Sequence, residues 1–220
     1  MNYWQIFETI IMFIATIIGF ICLPKMKPNY LRIFLIWLVI LCLSEIILFL
    51  FNDLFSDSKL IYIVYCSIFF FEYLIYCYIF YKRMNISKGL KYYLITTLTF
   101  YFFYSVYVLL FLSNEKNSAG NNFVIVSTLL IILMLIYFWQ IISSNDVIKL
   151  PREPLFWIAT GTLFFCTGNV VATGFFHRLY DASHELAKLL YKLNHILAIA
   201  LYVLCSIAFI LSTKKELKDV

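Results

Sequence analysis

Residues 4–23 read WQIFETIIMFIATIIGFICL, a stretch in which Glu8 is the one side chain expected to carry charge. A helix of about 20 mainly apolar residues is long enough to cross the hydrocarbon core of a bilayer. Six stretches of the same kind follow, and the predicted spans are 4–23, 31–51, 60–81, 92–112, 122–142, 154–176 and 191–212. The sequence therefore predicts an all-α, polytopic bundle of seven transmembrane helices, forming one domain over residues 1–220.

The composition leads to the same class of protein. Hydrophobic residues make up 64% of the chain and charged residues 13%, whereas soluble domains are about half apolar and a quarter charged. The net charge of +5 is explained by loop cations that orient the spans and face anionic lipid. We therefore expect the lipid bilayer as a partner, and no nucleic acid.

The cations crowd into alternate connections of the chain. Twelve of the seventeen fall on one predicted side, namely Lys25, Lys27, Arg32, Lys82, Arg83, Lys88, Lys91, Lys149, Arg152, Lys214, Lys215 and Lys218. Short cytoplasmic loops carry an excess of Lys and Arg. This predicts that the N-terminus lies outside and the C-terminus lies in the cytoplasm. The first stretch has no basic leader or cleavage site, so we expect it to be a retained span.

Ionisable and amide side chains inside the predicted spans are candidates for function, because burying them in hydrocarbon is costly. At about 1.5 Å per residue, Glu8, Glu45, Asn169 and His195 are expected at one height in the outer half, with Glu72 deeper. These four residues predict an external ligand or proton site, and Glu72 a proton-coupling group. The alternative is that Glu8 and His195 are interfacial and that Glu45 is protonated or bonded to a hydroxyl.

A second group of polar residues lies in the predicted external connection 177–190. His177, Asp181 and His184 would share one face if the segment were helical, and such a face could bind zinc or copper. The alternative is a solvated face, with Asp181 or Ser183 capping the helix that becomes the seventh span. The identity of any metal is left open.

Small residues form a stripe along the sixth predicted span. Gly161, Gly168 and Ala172 are spaced for close approach of a neighbouring helix. We therefore expect this span to be a central packing helix, with Asn169 pointing inward.

Two families of seven-span proteins are excluded by their missing residues. Retinal proteins need a lysine in the middle of the last span, and residues 196–212 contain none. Intramembrane zinc hydrolases carry an HxxxH pattern in the last span, which is also missing here. An enzyme is accordingly not the favoured class, and we predict no cofactor.

One segment resembles known proteins. Residues 150–161, LPREPLFWIATG, continuing to Gly168 and Asn169, resemble a segment of small bacterial seven-span membrane proteins, some of which accompany sensor histidine kinases. The resemblance covers mainly residues 150–169. It implies a sensory or accessory role in the bacterial cytoplasmic membrane, with a histidine kinase or other effector on a separate chain.

Three functions follow as expectations. The first is a sensor or signalling accessory that takes a cue in the outer half and passes it to a cytoplasmic partner. The second is a small proton-coupled transporter that uses Glu45 and Glu72. The third is a membrane-embedded lipid-modifying metalloenzyme with His177, Asp181 and His184 at its surface.

Overall fold

A computed structural model describes residues 3–50, 58–84, 88–112, 118–143 and 150–213. These ranges hold helices and turns without any strand, and seven of the helices are long and apolar enough to cross a membrane. They are α1 (Tyr3–Cys22), α2 (Asn29–Leu50), α3 (Ser58–Arg83), α4 (Lys88–Tyr107), α5 (Ser118–Ser143), α6 (Pro154–Ala182) and α7 (His184–Ser212). The predicted all-α class and the seven spans are confirmed. Which end of the bundle faces the cytoplasm stays a prediction.

The last two helices are longer than their apolar stretches. The hydropathy of the sequence predicts a connection at 177–190, but α6 continues to Ala182 and α7 begins at His184. Residues 175–190 contain neither Gly nor Pro, so nothing local stops the backbone hydrogen bonds where the hydropathy falls. The break comes at Ser183, whose extended backbone and hydroxyl, accepting from the Leu186 amide at 3.4 Å, start α7.

Six helices close into a ring, and the seventh lies outside it. Around the ring α1 packs on α2, α2 on α3, α3 on α5, α5 on α6, α6 on α7 and α7 on α1. Helix α4 packs on the outside, against α3 and α5. The ring brings α1, α2, α3, α6 and α7 around one interior, and these are the helices that carry the predicted site residues.

Side-chain pairs fix the direction of the helices. Arg83 of α3 meets Glu153 at the start of α6, whereas Glu8 near the start of α1 meets His195 of α7. We call the two ends of the bundle the Arg83 end and the Glu8 end after these pairs. The Arg83 end also carries two 3-10 turns, Leu23–Lys25 and Leu150–Arg152.

Glycines let α6 and α7 approach closely. A Cβ at Gly161 would lie 2.9 Å from Leu201 Cδ1 and 3.2 Å from the Leu201 Cα, and one at Gly168 would overlap Leu197 Cδ1. Asn169 is 1% exposed. The expectation that the sixth span is a central packing helix with Asn169 turned inward is confirmed.

We predict that Gly161→Ala lowers the free energy of unfolding by about 1–2 kcal/mol, because the new methyl group meets backbone that cannot rotate away. Gly174→Ala is the matched control in the same helix, since a Cβ there meets no described atom within 4 Å, and it should leave stability unchanged or slightly raised. Unfolding of the purified protein in mixed micelles would measure both. Equal effects of the two substitutions would contradict the close packing at Gly161.

Candidate functional site: an acidic cleft at the Glu8 end

The first element of the site is a pair between α1 and α7. Oε2 of Glu8 is in hydrogen-bond contact with Nδ1 of His195. The Glu8 side chain is 26% exposed and that of His195 is 11% exposed, so the pair lies at the edge of the packed interior. The Tyr191 ring stands edge-on to the imidazole, with centroids 4.4 Å apart, and holds the imidazole in place. The structure thus brings together two of the four residues predicted to form the external site.

Glu45 lies on the open side of the ring. It is exposed, yet its carboxyl is within electrostatic range of Glu8 on α1, Tyr65 on α3 and Tyr202 on α7. These groups lie on three other helices, so the exposed Glu45 carboxyl is not far from α1, α3 and α7. Among the described residues of α2, the buried ones all lie between Leu31 and Cys42, so the last part of this helix is little covered by its neighbours. We call the region bordered by Glu8, Glu45 and Glu72 the acidic cleft.

Glu45 is deeper in the bundle than a count along its predicted span indicates. Thr16 Oγ1 of α1 lies 3.2 Å from Cys42 Sγ of α2, which fixes the register of the two helices. Counting about 1.5 Å per residue from that contact puts Glu45 about 7 Å further into the bundle than Glu8. Glu8 and Glu45 are therefore neighbours along the cleft and do not share one height.

Glu72 marks the inner end of the cleft. It is half-buried and lies one helical turn before Tyr76 on α3. Its carboxyl is within electrostatic range of Tyr76, Tyr202 and Cys166. The expectation that Glu72 lies deeper than Glu8 agrees with this position.

Asn169 adds an amide to the α6 wall. It lies on the same helix face as Cys166 and Thr162, and Thr162 is bonded to Tyr76 of α3. Both amide atoms of Asn169 are buried with no hydrogen-bond partner among the described residues, as is Nε2 of His195. Burying an amide without a hydrogen-bond partner costs free energy of folding. Packing alone therefore does not explain why Asn occupies position 169.

A packed layer of side chains separates the cleft from the Arg83 end. Tyr76 and Thr162 hydroxyls are 2.8 Å apart across the ring. The Phe34 ring packs on Tyr76 at 6.0 Å and on Phe209 at 6.2 Å between centroids, and Phe80 stacks on Tyr76. All four aromatic residues are at most 2% exposed. The cleft therefore ends near the middle of the bundle.

Beyond this packed layer lies an ion pair that the sequence analysis does not anticipate. Arg83 donates from Nε to Glu153 Oε1 at 3.0 Å and from Nη2 to Oε2 at 3.1 Å. This bidentate pair ties the end of α3 to the start of α6. The one feature of the sequence that could have indicated this ion pair is Glu153, an acidic residue between two prolines in a region of predicted loop cations.

The Arg83 end also carries a basic groove. Its volume is about 550 Å³ and its lining includes Lys25, Lys27, Arg32 and Thr213. Arg32 Nη2 donates to the Met26 carbonyl at 3.0 Å, which fixes the guanidinium at one wall of the groove. Lys149, Lys214, Lys215 and Lys218 lie outside the described residues.

The three residues predicted as possible metal ligands are divided by a helix boundary. His177 and Asp181 lie in α6, His184 is the first residue of α7, and Ser183 between them is extended. The continuous helix that would align the three residues is thus interrupted, and the alternative with Ser183 as cap is the one observed. The side chains of His177 and Asp181 lie outside the described part of the chain. Within that part, no three His, Cys, Asp or Glu side chains are grouped to hold a metal ion.

Comparison of the chain with protein-family models, with curated proteins and with solved structures finds no match. The resemblance of residues 150–169 stays a prediction. The acidic cleft combines carboxyls, an imidazole and an amide, which are side chains that mark functional sites when they lie within membrane spans.

Proposed function

We propose that this chain is a membrane receptor or signalling accessory of the bacterial cytoplasmic membrane, with its N-terminus outside. It takes a cue in the acidic cleft and passes it to a cytoplasmic effector, such as a histidine kinase on a separate chain. Glu8, Glu45, Asn169 and His195 form the ligand site, and Glu72 lies at its inner end. In this orientation the Arg83 end is the cytoplasmic one.

The observation that supports this proposal is the Glu8–His195 pair and the buried Asn169 on one side of the packed layer, with α6 and α7 running past that layer. Helix α7 carries His195 in the cleft and Phe209 in the packed layer. Helix α6 carries Asn169 beside the cleft and begins next to Glu153. A change of contacts at His195 or Asn169 can therefore shift the far ends of α6 and α7, as helix shifts do in other signalling proteins.

The basic groove supplies a surface for the effector. Lys25, Lys27 and Arg32 are close to the end of α7, because Thr213 lines the same groove. Such a surface suits an acidic segment of a partner, since complementary charge guides association. A shift of α7 would change the shape of this groove.

The test weakens the contact between Glu8 and His195 and measures whether the far ends of the helices move. We expect Glu8→Gln to change the distance between spin labels at Lys82→Cys and Thr213→Cys by about 2 Å, because a neutral amide weakens the contact with His195. The distance would be measured in lipid nanodiscs, and Glu185→Gln, an exposed acid at the start of α7, is the control. An unchanged distance in both Glu8→Gln and His195→Ala would overturn the receptor proposal. Labelling of Lys27→Cys by an impermeant thiol reagent in whole cells would overturn the orientation.

A transporter is the second candidate, because Glu45 and Glu72 follow one another along the cleft. It would show proton-coupled flux in liposomes that is lost in Glu72→Gln. The receptor proposal requires the label distance to change without such flux. The third candidate, a lipid-modifying metalloenzyme, would require bound metal that is lost in His184→Ala.

A further inference from the structure

We propose that the basic groove at the Arg83 end binds the phosphate headgroup of an anionic phospholipid. The groove has a volume of about 550 Å³ and lies between the end of α1, the start of α2 and the end of α7. The inference goes beyond the proposed function, because a lipid in this groove does not depend on a cue at the Glu8 end. Its grounds are the charge of the groove, the structure of its wall, its depth in the membrane and the apolar surface beside it.

The groove is lined by cations that have no acidic partner. Lys25, Lys27 and Arg32 line it, and no carboxyl among the described residues is paired with any of them. The ammonium and guanidinium groups donate hydrogen bonds and accept none, and their charge-assisted bonds to phosphate oxygens are strong. Three such groups around one groove therefore favour a phosphate.

One wall of the groove is held in shape by the turn that joins α1 to α2. Leu23–Lys25 form a 3-10 turn, and the Met26 amide donates to the Leu23 carbonyl at 3.2 Å. The Met26 side chain is buried in the core, and its carbonyl accepts from Arg32 Nη2 at 3.0 Å. This bond uses one nitrogen of the guanidinium, and the other two can donate to a phosphate. The turn thus places a cation in a fixed position before any ligand binds.

Two tryptophans indicate that the groove lies at the level of the lipid head groups. Trp139 is exposed within about one turn of the end of α5, and Trp157 lies within about one turn of the start of α6. The Trp157 indole donates to the Pro151 carbonyl at 2.9 Å. Tryptophan is enriched where the membrane meets water. Both residues lie at the Arg83 end, so the groove at that end is at the depth of lipid phosphates.

Exposed isoleucines continue from the groove into the membrane. Ile21 of α1, Ile36 of α2 and Ile210 of α7 are all exposed, and each lies about one helical turn further into its span than the groove residue of that helix. Lipid acyl chains can cover this aliphatic surface, whereas a soluble phosphate compound cannot. Basic pockets between transmembrane helices are known to bind lipid head groups. The combination of cations and isoleucines therefore favours a lipid over a free phosphate.

The test is native mass spectrometry of the full chain, delipidated in detergent micelles and titrated with phosphatidylglycerol. Phosphatidylcholine with the same acyl chains has the same phosphodiester without a net charge, and is the matched ligand control. We expect phosphatidylglycerol to bind at least about 25-fold more tightly, since each cation near a lipid phosphate contributes about fivefold.

Two double variants locate the preference. Lys25→Gln with Lys27→Gln should lower it to about fivefold or less. Lys88→Gln with Lys91→Gln, on α4 at the same end, should retain it. All four lysines are exposed, so neither double variant disturbs the packed interior.

Equal affinity for the two lipids, or an equal loss of preference in the two double variants, would overturn the inference, because the attraction would then belong to the whole basic end of the bundle. Glycerol phosphate distinguishes the two sources of phosphate. We expect the lipid to stay bound beside an equimolar amount of it, and displacement would overturn the lipid in favour of a soluble phosphate ligand.

An effector segment is the other occupant that the test can detect, because it would use the same cations in competition with the lipid. Binding of a glutamate hexapeptide that is lost in the Lys25 and Lys27 double variant, together with equal binding of the two lipids, would overturn the lipid in favour of an acidic protein segment. The receptor proposal fails separately, since the label distance in Glu8→Gln can stay unchanged while the lipid preference is retained.

Discussion

Replacing Arg83 with Gln is expected to lower the free energy of unfolding by about 2 kcal/mol, more than the reciprocal replacement of Glu153. The Glu153 side chain is 10% exposed and that of Arg83 is 51% exposed. Without Arg83, a largely buried carboxylate loses both hydrogen bonds of its bidentate partner, and breaking such a pair by removing one member is costly. Without the carboxylate, the half-exposed guanidinium can turn to water and lipid head groups. We therefore expect Glu153→Gln to cost about 1 kcal/mol.

Unfolding in mixed micelles would measure this asymmetry. Lys91→Gln, an exposed cation on α4 at the same end, is the control for loss of positive charge and should change stability by less than about 0.5 kcal/mol. The exchange Arg83→Glu with Glu153→Arg should recover part of the loss. If Arg83→Gln and Lys91→Gln had the same effect, the ion pair would not tie α3 to α6.

The seven spans are predictable because they depend on local composition alone. Each apolar stretch must find a nonaqueous environment whatever its neighbours are, and a helix satisfies its own backbone within the stretch. The ends of α6 and α7 are different, because the backbone of residues 175–182 stays helical after the hydropathy declines. Hydropathy therefore locates a span but does not locate where its helix stops.

The site is only partly predictable, because its contacts depend on helix adjacency and register. Counting along the chain is enough to put Glu8 and His195 at one height, and the two residues are in contact. The same count misplaces Glu45, since the Thr16–Cys42 contact shifts α2 against α1. The Arg83–Glu153 pair joins residues 70 positions apart, and no local pattern indicates that α3 and α6 meet there.

The second large effect is expected at the Glu8–His195 pair, at the outer end of the acidic cleft. His195→Ala should lower the free energy of unfolding by about 2 kcal/mol, because it removes the partner of Glu8 and leaves a gap beside Tyr191. Glu8→Gln should cost less, about 1 kcal/mol, since the amide can still bond to the imidazole.

The double variant separates a coupled pair from two interfacial side chains that merely lie near each other. A coupled pair gives a double variant whose loss is smaller than the summed single losses by about 1 kcal/mol or more. Additive losses would mean that Glu8 and His195 act independently, as the interfacial alternative requires. Glu185→Gln combined with His195→Ala is the matched control. The losses of these two variants should add, because Glu185 is exposed, lies ten residues before His195 and has no contact with the imidazole in the described structure. Coupling at Glu8 alone would therefore identify the Glu8–His195 contact as an energetic link between α1 and α7, on which the proposed cue can act.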